Sequence, residues 1–154
     1  MRWLVLLLAL LAGLAEADVR PFGPGSLQQI QDERSGKAFI LTLWSATCIH
    51  CPSELKALGE LVRQHPGLDI VLVAADTPAD TPQLERLAAD YGLGRQAQWV
   101  FADAQPEKLR FAIDRRWFGE LPRTYFFDAR HRREANSGVV PLERLERWVR
   151  EHVK

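Results

Sequence analysis

The chain has 154 residues, with 20 Lys plus Arg against 20 Asp plus Glu and a formal net charge of +0 at pH 7. That length suits one domain able to bury a single core, and 47% hydrophobic residues against 26% charged describe a globular chain, not a disordered one. The neutral balance excludes the global field that would draw a protein to nucleic acid or a membrane surface. Arginines crowd the C-terminal third, from Arg115 to Arg133, and a solvated, salt-bridged surface is their simplest reading.

Residues 1–17 read as a signal peptide. Arg2 supplies a short positive start, Trp3 to Leu14 is an apolar run, and Ala15-Glu16-Ala17 has the small-x-small pattern of a cleavage site. The run is shorter than the ~20 residues a spanning helix needs, so cleavage after Ala17 is expected over a membrane anchor. No cysteine follows the run, which argues against a lipoprotein. The mature chain is expected to start at Asp18 in the periplasm or another exported compartment. Residues 18–36, with Pro21, Gly23, Pro24 and Gly25, read as a loose lead-in holding one or two helical turns over Ser26 to Arg34. The folded domain is expected over 37–154.

Lys37 to Trp44 is the first strand, and its Phe39-Ile40-Leu41 run suggests burial on both faces near the centre of a sheet. A helix follows over Glu54 to Gln64, with Leu55, Leu58, Leu61 and Val62 on one face and Pro52 in its first turn. Asp69 to Ala75 is a second buried strand. Thr81-Pro82 opens a helix with Leu84, Leu87, Ala88 and Tyr91 as its apolar stripe and Gly92 as its cap. Gln98 to Ala102 is a third strand, Pro106 to Ile113 a short helix, Thr124 to Asp128 a fourth strand, and Glu134 to Val140 a fifth. Pro141 opens the last helix, with Leu142, Leu145, Trp148 and Val149 on one side. The alternation predicts an α/β fold with a central mixed sheet covered on both faces.

Between the first strand and the helix after it lies Trp44-Ser45-Ala46-Thr47-Cys48-Ile49-His50-Cys51, which holds both cysteines of the chain. A Cys-x-x-Cys at a strand-to-helix junction is foremost a redox motif: two sulfurs can close one small ring, and the helix N-terminus favours a thiolate at Cys48. In an exported chain a purely structural disulfide is the alternative, but so tight a loop gains little from loop entropy. Cys48 is therefore the expected nucleophile and Cys51, one turn in and shielded, the resolving thiol.

These residues resemble the thioredoxin superfamily, and within it the exported TlpA-like and ResA-like thiol–disulfide oxidoreductases. The resemblance rests on Trp44-x-x-x-Cys48-x-x-Cys51 and on Glu54, three residues past the second cysteine. It rests also on a strand–helix unit over about Asp69 to Tyr91, which that branch inserts, and on Gly119-Glu120-Leu121-Pro122-Arg123-Thr124, which looks like the cis-proline loop. It covers Lys37 to the C-terminus and implies a thioredoxin-like fold. Thr42 stands where cytosolic thioredoxins keep a buried aspartate, and Arg123 stands where the branch more often has a small residue. Ile49-His50 replaces the proline-containing pairs common in reducing members.

The resemblance implies exchange with protein substrates bearing cysteine thiols or disulfides, and a membrane thiol–disulfide donor or acceptor as redox partner. It implies a monomer and no cofactor. The branch points to a reductant for apocytochrome or metal-site cysteines. The Ile49-His50 pair points instead to an oxidase or isomerase, because His50 can stabilise the Cys48 thiolate by a hydrogen bond or its positive charge. Glu54 would take the Cys51 proton during resolution, its alternative being an ordinary solvated helix acid. Ile49, Leu121 and Pro122 would contact substrate, with a cis bond before Pro122 presenting an edge for an extended segment. A copper- or zinc-binding chain using the two cysteines and a histidine is a further alternative. Such relatives use a wider cysteine spacing and a distant histidine, and no such partner is identifiable here.

Overall fold

The computed structural model describes residues 18–153; the expected signal peptide over 1–17 lies outside them. One six-stranded sheet runs in the order β1-β4-β3-β2-β5-β6. Its centre is three parallel strands, β2 (Phe39–Trp44), β3 (Ile70–Ala74) and β4 (Ala97–Phe101). Strand β5 (Arg123–Phe127) runs antiparallel to β2, and β6 (Arg133–Ser137) antiparallel to β5. All residues of β2 and β3 are buried. Strands covered on both faces must be apolar throughout, which is why each is an unbroken apolar run apart from Thr42.

Alternate side chains feed two cores. Ile40, Ile70, Leu72, Val100 and Phe126 pack beneath α2 (Cys51–Gln64), α3 (Thr81–Asp90) and α5 (Leu142–His152). Phe39, Leu41, Val71, Val73 and Phe127 pack on the opposite side, where α1 (Ser26–Asp32) contributes Ile30 and α4 (Pro106–Ile113) contributes Leu109 and Ile113. Helix α2 lies so close to the end of α3 that a Cβ on Gly59 would run into the Tyr91 carbonyl. Only glycine fits there.

Three expectations change. Residues 18–36 are not a loose lead-in: β1 (Val19–Phe22) pairs in parallel with β4, Val19 opposite Gln98 through Phe22 opposite Phe101. Phe22 and Ile30 are fully packed, Phe22 stacks on Phe101 with centroids 5.6 Å apart, and Arg20 lies 3.9 Å over the Trp99 ring. Pro21 hid this strand; an edge strand tolerates proline, and Pro21 is its exposed residue. The folded unit therefore starts near Val19, not at Lys37. The fifth predicted strand stops at Ser137, because Gly138 takes φ +78° and the Val140 N–H turns to Glu54. Leu142, expected on the buried side of α5, is exposed.

The burial of Phe22 sets an expectation. Phe22→Ala should lower unfolding free energy by ~3–5 kcal/mol in denaturant titration, the usual cost of a core phenylalanine. A surface-like cost of about 0.5 kcal/mol or less would mean that β1 is dispensable.

Candidate active site

Strand β2 ends at Trp44, and the chain turns through Ser45–His50 before α2 starts at Cys51. The Cys48 N–H closes this turn on the Ser45 carbonyl at 3.2 Å. Cys48 and Cys51 are joined in a disulfide with Cα atoms 5.4 Å apart. Their environments differ: Cys48 is half-buried and Cys51 has no exposed surface. The Cys51 N–H points at the Cys48 sulfur at 3.1 Å, so an unpaired donor of the helix start is aimed at the atom that would carry a thiolate. Ile49 is 88% exposed; His50, also exposed, is the N-cap of α2 and makes no side-chain capping bond.

Glu54, one turn into α2, is not solvated; it is fully buried. Its Oε1 accepts the Thr124 hydroxyl at 2.9 Å and its Oε2 accepts the Val140 N–H at 2.8 Å. Thr124 Oγ1 also lies 3.2 Å from Thr42 Oγ1. Each hydroxyl has one proton, so while Thr124 donates to Glu54, Thr42 must donate to Thr124. Thus Thr42 ends a hydroxyl chain that supports a buried glutamate. Burial pushes the Glu54 pKa up, only partly opposed by the bonds from Val140 and Thr124.

The pairing of Leu43 with Arg123 places the Leu121–Pro122 peptide beside the end of β2 that leads to the sulfurs. That bond is cis, Leu121 is half-buried, and the Pro122 carbonyl accepts the Gly138 N–H at 2.9 Å. Arg123 is buried in an ion cluster: it bonds Asp114 at 2.9 Å, Glu120 at 3.4 Å and the Tyr125 hydroxyl at 3.2 Å. Burial alone would raise the Asp114 pKa, but donations from the Arg116 N–H, Arg123 and Tyr125 outweigh it and hold the carboxyl low. Glu120 in turn accepts the Phe118 N–H at 3.2 Å, and its carbonyl accepts the Trp117 indole N–H at 2.8 Å. The loop is braced, yet it presents Phe118 at 90% exposure.

The sequence marks Arg123 as a departure but not its partners, which come from the end of α4, the loop and β5 itself. Nor does it mark Phe118 or Asp76. Asp76, just past β3, accepts the Ser45 hydroxyl at 3.0 Å and the Ala46 N–H at 3.2 Å. No spacing in the sequence links residue 76 to residue 45; only the parallel register of β2 and β3 does. Among the described residues, no three His, Cys, Asp or Glu side chains gather as a metal-ligand set.

No family model and no curated protein matches the sequence. Solved structures do match the fold. A secreted Mycobacterium tuberculosis disulfide oxidoreductase, homologous to DsbE of E. coli, superposes with a TM-score of 0.60 at 20% identity, over 78% of this chain and 85% of its own. A thiol:disulfide interchange protein of the thioredoxin family from Chlorobium tepidum gives a TM-score of 0.62 at 18% identity, over 80% and 85%. StoA from Bacillus subtilis gives 0.54 at 18% identity, over 75% and 84%. The fold of this chain is thioredoxin-like, with the Cys48–Cys51 disulfide at the start of α2.

Glu54 holds a proton more tightly in the folded chain than in the unfolded one, where its value is near 4.5. Stability from this group is therefore complete below that value and is lost as pH rises through the raised folded pKa. Denaturation of the oxidised protein across pH should show this decline, and Glu54→Gln should flatten it. An unchanged slope in the variant would place the pH dependence elsewhere.

Proposed function

We propose that this chain is an exported thiol–disulfide oxidoreductase that exchanges the Cys48–Cys51 couple with protein substrates and acts as a reductant. The observation that carries the exchange itself is the asymmetry of the pair, a half-exposed Cys48 joined to a fully buried Cys51; the reductant direction follows the TlpA-like and ResA-like resemblance. In this reading the Cys48 thiolate attacks a substrate disulfide and forms a mixed disulfide, releasing one substrate thiolate. Cys51 then loses its proton to the Glu54 carboxylate and attacks the Cys48 sulfur. The second substrate thiol leaves, the substrate has gained two electrons, and the enzyme holds the Cys48–Cys51 disulfide. A membrane thiol–disulfide donor restores the dithiol.

Several features support this. Glu54 sits in the same helical turn as Cys51 and is buried with no cation paired to it among the described residues, the setting that readies a carboxylate to accept a proton. Leu121 and Pro122 precede β5 at the sheet end that leads to the sulfurs, Ile49 lies exposed between the two cysteines, and Phe118 and Val139 are further exposed apolar side chains open to a polypeptide partner. Residues 1–17 support export, and no described helix is long and apolar enough to cross a membrane. The chain works as a monomer, without cofactor and without nucleic acid. The opposite direction, a dithiol oxidase or isomerase, draws on two features that favour the thiolate: the Cys51 N–H on the Cys48 sulfur and the adjacent His50.

Two measurements test these roles. Cys51→Ala should accumulate mixed disulfides through Cys48 with a protein disulfide such as insulin, and Cys48→Ala should accumulate none. Trapping through Cys51 would reverse the assignment. Equilibration with glutathione should place the couple near the thioredoxin value of about −270 mV, and a value near −120 mV would make it an oxidant. His50→Ala and His50→Pro should both lower the potential by roughly tens of mV. If neither moves it, His50 is only a loop residue.

A further inference from the structure

A second carboxylate acts on the turn that presents Cys48. Asp76 Oδ1 accepts both the Ser45 hydroxyl at 3.0 Å and the Ala46 N–H at 3.2 Å, and Oδ2 lies 3.3 Å from the same N–H. With its proton given to Asp76, the Ser45 oxygen accepts the Thr47 N–H at 3.1 Å and lies 3.1 Å from the Thr47 hydroxyl. The Cys48 N–H closes on the Ser45 carbonyl at 3.2 Å. A chain of bonds thus runs from Asp76 through Ser45 to Thr47, the residue before the nucleophile. Its anchor is firm, because β3 is wholly buried and the Ala75 N–H donates to the Trp44 carbonyl at 2.8 Å, one step beyond the strand ladder.

The charge on this anchor is uncompensated. Asp76 makes no ion pair among the described residues, and the charged neighbour that acts on it is another carboxylate, Asp80 of the 3-10 turn Pro78–Asp80. Burial, with Asp80 beside it, pushes the Asp76 pKa above the ordinary aspartate value, and the donations from Ser45 and Ala46 to the ionised form oppose that rise. A negative charge bonded two residues from Cys48 raises the energy of a Cys48 thiolate, and so of the reduced protein. That disfavours reduction of the disulfide and lowers the couple's potential.

We propose that Asp76 is a positioning residue for the Cys48 nucleophile whose negative charge draws the Cys48–Cys51 couple toward the reducing side. The inference rests on the oxidoreductase reading above, and it opposes the helix start and His50, which favour the thiolate.

Two substitutions separate holding from charge. Asp76→Asn keeps an Oδ1 that can accept both donors and loses only the charge; Asp76→Ala loses both. The readouts are the pH dependence of Cys48 alkylation by iodoacetamide in the reduced protein, the glutathione equilibrium, and insulin reduction normalised to the thiolate fraction. Both variants should ionise Cys48 at lower pH and shift the glutathione equilibrium toward the reduced protein by roughly two- to tenfold. Only Asp76→Ala should slow normalised insulin reduction severalfold, and Asp76→Asn should recover it. If Asp76→Ala fails to fold, Ser45→Ala cuts the same link and should slow the reaction likewise. An Asp76→Asn protein with wild-type ionisation and equilibrium overturns the charge assignment. Wild-type normalised rates in Asp76→Ala or Ser45→Ala overturn the positioning. Alkylation needs no client, so a wild-type protein that alkylates normally but does not reduce insulin would sink the oxidoreductase reading alone.

Discussion

The arrangement depends on one buried carboxylate. Glu54 comes from α2, which carries Cys51; its hydroxyl donor Thr124 belongs to β5, one residue past Arg123; its N–H donor Val140 belongs to the loop before α5. One carboxylate thus joins three segments of the chain. Burying a carboxylate without a cation is costly, and two hydrogen bonds offset only part of that cost. The site therefore keeps a carboxylate with a raised affinity for a proton, where the proposed resolving thiol would have one to lose. The same two bonds close the sheet's β5–β6 end against α2, so acidity and architecture share their atoms.

Two carboxylates flank the disulfide, in unlike settings. Glu54 is sealed in the core behind Cys51, while Asp76 is half-buried ahead of Cys48 and tied to the turn. Burial raises the pKa of both, opposed in each case by hydrogen bonds to the charged form. In the proposed exchange, one would receive a proton. The other is placed to act through its charge. The helix start supplies the opposing influence through the Cys51 N–H on the Cys48 sulfur.

Much of this was legible in the residues. β2 and β3 are buried on both faces and so read as apolar runs, and the α2 stripe Leu55, Leu58 and Leu61 has an unambiguous period. The dithiol announces itself by spacing. What stayed hidden depends on pairing across long separations: β1 is disguised by Pro21, the Arg123–Asp114 ion pair spans a loop, and Asp76 meets Ser45 only through strand register. Glu54 lay between these cases. Its position suggested a role, but only packing shows that water does not reach it.

Gly59 gives the helix under the disulfide a particular mechanical character. With the Tyr91 carbonyl against its α-carbon, α2 has no room to roll or slide over the end of α3. Cys51 and Glu54 ride on that same helix, toward its start from Gly59. A fixed bearing of this kind leaves Ile49 and His50, exposed between the sulfurs and outside the bonds to Asp76, as the part of the turn that can yield when the sulfurs part. Any difference in shape between oxidised and reduced protein is then a local one, written into the surface a client touches while the scaffold behind it stays still.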